Sequence, residues 1–126
     1  MRILIAEDDK NISTILAITL EQIGDHKVTA VENGQLAINE LKQQAYDLIL
    51  MDAMMPEKDG ATACQEIKET MGITTPVIFL TAKTDETSVN HFYELGAIGV
   101  IAKPFEPISV CDEIFDILKD RGLIAC

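Results

Sequence analysis

Five short apolar runs punctuate the chain, and each is followed by a longer stretch whose apolar residues recur at helical spacing. Ile3 to Ala6, Val28 to Val31, Asp47 to Met51, Val77 to Leu80 and Val100 to Ala102 read as strands. Leu48 to Met51 and Val77 to Leu80 are unbroken apolar stretches, the pattern of strands covered on both faces. The first helical stretch sets Ile12, Ile15, Leu16, Thr19, Leu20 and Ile23 on one face and stops at Gly24. Asn33-Gly34 marks a turn, and Leu36, Ala37, Ile38 and Leu41 give a second helix. Pro56 breaks regular structure after the third strand. A third helix runs from Ala61 to Met71 on Ala63, Cys64 and Ile67, with Gly72 and Pro76 at its exit. Thr84 or Asp85 can cap a fourth helix carrying Val89, Phe92, Tyr93 and Leu95, closed by Gly96. The last helix spans about Ile108 to Asp120, with Ile108, Cys111, Ile114, Phe115 and Leu118 as its stripe.

Five repeats of strand then helix, joined by short connections, imply right-handed crossovers. The expected architecture is α/β: a doubly wound five-stranded parallel sheet with helices on both faces. A length of 126 residues predicts a single domain over 1–126, with a core of about 2–120.

A parallel sheet places all strand carboxyl ends on one edge, where open α/β folds hold their chemistry. The runs end at Glu7-Asp8 (with Asp9), Asp52, Thr81 and Lys103. Three carboxylates against one ammonium is an unfavourable set. At ~4 Å and an effective dielectric of ~20, each like-charged pair repels by about 4 kcal/mol. Protons or a cation must relieve it. Hard carboxylate oxygens without His or Cys select Mg²⁺, with Mn²⁺ as the alternative. Such a site suits phosphoryl transfer, in which a carboxylate attacks phosphorus and an ammonium and a hydroxyl contact the phosphoryl oxygens. Each residue alone also has a structural reading. Asp52 could cap a turn, Asp9 fits a helix start, Thr81 could be a loop hydroxyl and Lys103 a surface charge. Their arrival together, each at the end of an apolar run, favours the chemical reading. His26 and His91 fall at no strand end and read as surface residues.

Composition narrows the picture further. Hydrophobic residues make up 48% and charged residues 25%, an ordinary globular balance. The formal net charge of −11 disfavours direct nucleic-acid binding and fits a basic partner surface or a bound divalent cation, although solubility alone accounts for most of the acids. Cys64, Cys111 and Cys126 are far apart and odd in number, which predicts reduced thiols and no zinc site, with Cys64 and Cys111 as small core fillers. The apolar start at Ile3 to Ala6 is too short for a signal peptide or a membrane span, so a cytoplasmic location is expected.

The motifs ILIAEDD, LILMDAMMPEKDG, VIFLTA and AKPF, in this order and at this spacing, resemble the receiver domain of two-component response regulators. The resemblance covers about Arg2 to Asp120. It implies the flavodoxin-like strand order 2-1-3-4-5, which a member of this family illustrates. It implies Asp52 as the phosphoacceptor, Asp8 as a direct metal ligand, Glu7 acting through water and Met54 lending its backbone carbonyl. Thr81 and Lys103 correspond to the switch hydroxyl and the phosphate-binding lysine, and Lys103-Pro104 to a cis peptide. The implied donor is a phosphohistidine of a histidine kinase or a histidine phosphotransfer protein. The implied output is a helix 4–strand 5–helix 5 surface, open to a downstream effector protein or domain or to a second copy of the chain. No membrane contact is implied, and this domain makes no direct nucleic-acid contact. Val100 stands where the family often has an aromatic residue that turns inward with the threonine. Met54 and Lys83 stand where the family tunes phosphoryl loss. A switch from 1:99 to 99:1 needs about 5.5 kcal/mol of differential stabilisation.

Four readings compete. A signalling phosphoacceptor has only self-phosphorylation and self-dephosphorylation chemistry. A Mg²⁺-dependent phosphohydrolase of the haloacid-dehalogenase kind needs a second acid two residues after the nucleophile, where this chain has Met54. A flavin carrier needs a phosphate loop where this chain has the repelling EDDK. A degenerate receiver would bind partners without phosphorylation, and the full set of Glu7, Asp8, Asp52, Thr81 and Lys103 speaks against it.

Overall fold

Apolar residues that alternate with their neighbours' register need cover above and below, and the chain supplies it with helices on both faces of one sheet. The structure is a computed structural model that describes residues 1–55 and 57–123. The readings placed on Pro56, Cys126 and the Ile23 side chain lie outside the described residues. In chain order the elements are β1 (Arg2–Ala6), α1 (Lys10–Gly24), β2 (Lys27–Val31), α2 (Gly34–Gln43), β3 (Leu48–Asp52), α3 (Gly60–Gln65) running into a π-helical turn (Glu66–Thr70), β4 (Val77–Thr81), α4 (Glu86–Glu94), β5 (Gly99–Ala102) and α5 (Pro107–Asp120). All strand pairs are parallel, in the order β2-β1-β3-β4-β5.

The period of two along each strand divides the core. Ile3, Ile5, Leu48, Leu50, Ile78 and Leu80 face α1 and α5, while Leu4, Ile49, Met51, Val77 and Phe79 face α2, α3 and α4. Side-chain caps fix where the helices begin. The carboxylate of Asp9 accepts from Asn11 N and Ile12 N, Asn33 from Leu36 N, Asp59 from Thr62 N and Asp85 from Ser88 N. Each such cap stabilises its helix by about 1 kcal/mol. The choice between Thr84 and Asp85 therefore falls to Asp85.

Several expectations are corrected. The left-handed residue after α1 is Asp25 (φ 55), one residue beyond Gly24, and a short polar side chain tolerates that conformation. The third helix is not uniformly α: Met71 N donates to Glu66 O across a wider π turn. Helix stripes are narrower than their apolar content. In α1, Leu16 and Leu20 are buried, but Ile15 remains 48% exposed. In α5 the inward row is Val110, Ile114 and Leu118, at spacing of four, and Ile108 and Phe115 are exposed. Leu36 and Tyr93 are likewise exposed. A helix lying on a sheet buries one line of side chains, and residues a hundred degrees round stay outside it. His91 is exposed as expected, whereas His26 is half-buried, with Nδ1 3.1 Å from the terminal amino group. Cys64 is buried and Cys111 half-buried, both as free thiols.

The amino edge of the sheet is closed by side chains. Arg2 N donates to Asp47 Oδ2 at 2.8 Å, Arg2 Nη1 to Gln44 Oε1 at 2.6 Å, and the Tyr46 hydroxyl to Glu40 Oε1 at 2.7 Å. The carboxyl edge is shaped instead by close backbone approach. Gly60 N donates to Ala53 O, and a Cβ on Gly60 would overlap the Asp52 carbonyl oxygen. Gly34 N donates to Lys58 O, where a Cβ would meet that oxygen at 2.6 Å. Gly60→Ala is expected to destabilise the chain by about 3 kcal/mol, the upper part of the overpacking range. Urea unfolding at constant m-value measures it. A loss well under 1 kcal/mol would show that the loop after β3 yields without cost.

Candidate functional site

The last residue of the central strand β3 is Asp52, and its neighbours hold it from every side. Ala53 N donates to Leu80 O at 3.0 Å, which keeps the chain in register with β4 past the end of β3. Asp52 is only 4% exposed. Its Oδ1 accepts from Met54 N at 3.2 Å, and its Oδ2 lies 3.2 Å from Lys103 Nζ. The carboxylate plane is thus fixed by one backbone amide and one ammonium.

Lys103 reaches the site from the end of β5. Its backbone N donates to Thr81 O at 2.8 Å, and the Lys103–Pro104 peptide is cis, as the resemblance implied. Its Nζ donates to Glu7 Oε1 at 2.6 Å, so one ammonium bridges Glu7 and Asp52. Glu7 follows β1, where its backbone N donates to Val31 O, and its Oε2 accepts from Asp9 N at 3.2 Å. Glu7 is buried and Asp8 exposed. Carboxylate oxygens of Glu7, Asp8 and Asp52 all lie within 4.8 Å of one another. Thr81 is buried at the end of β4, and its Oγ1 accepts from Lys83 N at 2.9 Å. The Met54 side chain is 64% exposed at the lip of the site.

The electrostatics follow from this crowding. Burial, then a hydrogen bond to Asp52 and the charge of Asp52, push the Glu7 carboxyl up to about 8, against the pull of Lys103. Burial alone would lower the Lys103 ammonium, but its bond to Glu7 and the charge of Asp52 outweigh that and hold it above the usual lysine range. Three hard oxygen donors, one of them forced towards protonation, fit a small divalent cation: Mg²⁺-type ligation would replace that proton.

Glu7, Asp8, Asp52 and Lys103 come together as the strand ends suggested, and Thr81 sits beside them with its hydroxyl turned to the next loop. Several features of the site escaped the sequence reading. Asp9 caps α1, as its place at a helix start suggested, but its backbone amide also donates to Glu7, a bond the sequence did not announce. Glu57, in the loop after Asp52, adopts a left-handed φ of 65 that no local signal announces. The Asp59-Gly60 pair was the available sign that this loop turns back on Asp52.

Against known proteins, the family model described as response regulator receiver domain matches residues 3–115. The transcriptional regulatory protein CiaR of Streptococcus pneumoniae is 40% identical over 97% of this chain and 53% of that protein. ResD of Bacillus subtilis, also a transcriptional regulatory protein, is 36% identical over 94% of this chain and 48% of its own length. The chain therefore spans about half the length of these curated relatives. Among solved structures, the Francisella response regulator 1452 receiver domain superposes with a TM-score of 0.85 at 28% identity, covering 95% of this chain and 98% of that one.

A carboxyl raised on folding binds its proton more tightly in the folded chain than in the unfolded one. The stability that Glu7 contributes is therefore complete below its ordinary 4.5 and is lost as pH rises through about 8. Lys103 loses its contribution only above the ordinary lysine range, outside that window. In chelator, unfolding free energy should fall between pH 5 and 8 with a limiting slope of about 1.4 kcal/mol per pH unit. Glu7→Gln should remove that slope. Identical profiles for the two chains would show that Glu7 does not hold the proton.

Proposed function

Since this chain belongs to the response regulator receiver domain family, whose members are signalling phosphoacceptors, we propose that Asp52 is its phosphoacceptor and that the phosphoryl switches its output surface. The observation that carries the reading is the buried Asp52 carboxylate, held at the end of the central strand between Lys103 and the acidic pair Glu7 and Asp8. An Asp52 oxygen forms the new O–P bond as the N–P bond of a phosphohistidine breaks, and the imidazole leaves with the electron pair and takes up a proton from solvent. Lys103 can follow the transferred group, exchanging its contact with Asp52 for one with a phosphoryl oxygen. Thr81 can give up Lys83 N and donate its hydroxyl to another. Glu7, Asp8, Asp52 and the Met54 backbone carbonyl would hold Mg²⁺ (or Mn²⁺), which when bound neutralises the charge gathering on the phosphoryl oxygens.

The donor is a histidine kinase or a histidine phosphotransfer protein. A groove of about 270 Å³ beside Lys103, lined by Ile12, Ala82, Pro104 and Phe105, supports this: it offers a mostly apolar seat beside the phosphoacceptor. Ile15, one helical turn beyond Ile12, extends the apolar surface into solvent. The output surface is α4–β5–α5, read by an effector protein or domain or by a second copy. With a net charge of −11, any nucleic-acid contact belongs to such a partner and not to this domain. Among the described residues no helix is long and apolar enough to cross a membrane, and a cytoplasmic setting fits this role. Residues 2–120 act as one receiver unit.

Incubation with acetyl phosphate and Mg²⁺ should add one phosphoryl group to the wild type, by intact mass, and none to Asp52→Ala or to wild type in chelator. Uptake by Asp52→Ala would overturn the assignment. Met54 offers an attacking water no hydrogen bond, so the phosphoryl should be long-lived, and Met54→Asn should shorten its lifetime several-fold. An unchanged lifetime would discard this role for Met54.

A further inference from the structure

At the amino edge of the sheet the charge pattern is reversed. Arg2 of β1 and Lys27 of β2 are register partners, so their side chains leave adjacent strands on the same face. Thr29, two residues further along β2, shares that face. With Gln44 and the buried Tyr46, these residues line an open cavity of about 190 Å³. Like charges directly opposite one another on neighbouring strands are unfavourable. The chain has 21 acidic residues against 10 basic ones. Yet among the described residues neither the Arg2 guanidinium nor the Lys27 ammonium has a carboxylate oxygen within 4.0 Å. The acids of this edge are engaged elsewhere. Asp47 Oδ2 accepts from the Arg2 backbone N, and Glu40 Oε1 accepts from the Tyr46 hydroxyl and, at 2.8 Å, from Gln44 Nε2. Neither lines the cavity. Gln44 Oε1 takes one N–H of the Arg2 guanidinium at 2.6 Å and leaves others for a ligand.

We propose that this cavity binds a small oxyanion of the phosphate class, with Arg2 as a two-pronged donor, Lys27 as the charge opposite and the Thr29 hydroxyl as a further donor. A planar guanidinium matches two oxygens of one phosphate, and an ammonium meets a third as a point charge. The space equals about six water molecules at roughly 30 Å³ each, which accommodates phosphate or pyrophosphate. The site is separate from the phosphoacceptor. Arg2 opens β1 and Glu7 follows its end, a distance of about 16 Å at ~3.3 Å per residue. A bound oxyanion turns a repelling pair of cations into a bridge between β1 and β2.

The test is an NMR titration of the ¹⁵N-labelled full chain near neutral pH, in chelator, with sodium phosphate and separately with sodium pyrophosphate. Sodium chloride at matched ionic strength is the control. At least one of the two phosphates should give saturable amide shifts centred on Arg2, Lys27, Thr29, Gln44 and Tyr46. Lys27→Gln and Arg2→Gln should each weaken the fitted affinity several-fold, and Asp52→Ala should leave it unchanged. If Arg2→Gln does not fold, Lys27→Gln, at an exposed position, decides alone. Shifts that match those in chloride, that fail to saturate, that centre on Asp52 and Lys103, or that vanish in Asp52→Ala would each overturn the inference. Full affinity in either folded amino-edge variant would overturn it as well.

Discussion

One ammonium between two carboxylates governs the carboxyl edge of this sheet. Lys103 contacts Glu7 at 2.6 Å and Asp52 at 3.2 Å, and Asp8 adds a third acid close by. With three carboxylates and one ammonium the cluster is two positive charges short, and burial magnifies the shortfall because little water reaches Glu7 or Asp52. A proton on Glu7 would halve that deficit, and a divalent ion would cancel it. The close turn at Gly60 packs backbone against the Asp52 carbonyl, where a side chain would not fit.

The site was largely legible because parallel sheets make strand ends converge. Glu7, Asp8, Asp52 and Lys103 could be placed together from apolar runs that stop at charged residues, and the structure brings them within ion-pair and ligand range. The strand order came from resemblance, since periodicity alone leaves the order of five parallel strands open. What stayed hidden has physical reasons. Ile15, Ile108 and Phe115 are apolar and helically spaced, yet a helix on a sheet covers only one line of them. Val110 was passed over because its neighbours at Ile108 and Cys111 fit an equally good stripe. The π turn at Glu66–Thr70, beside which the Lys68 ammonium reaches Thr75 O, has no signature in the local apolar pattern.

The helices differ in how they are held. α1 and α5 share a core layer with long aliphatic side chains, Leu16 and Leu20 meeting Ile114 and Leu118 over β1 and β3. On the opposite face, α4 depends on Phe92 and on its ties near Leu95, with Arg121 lying 6.0 Å over the exposed Tyr93 ring. Exposed cation–π contacts are worth about 0.5–1 kcal/mol, too little to lock a helix. Among the described residues α4 thus buries fewer side chains than α1 or α5, and it begins just past the loop that touches Thr81.

The closed amino edge gives the strands a mechanical asymmetry. Arg2, Gln44, Glu40, Tyr46 and Asp47 clasp the roots of β1 and β3, while their tips end in charged groups whose contacts depend on what is bound. The roots of β1 and β3 are therefore held by side-chain bonds in addition to the backbone ladder, whereas in-line pairing at the tips rests on the ladder itself, as between Ala53 N and Leu80 O.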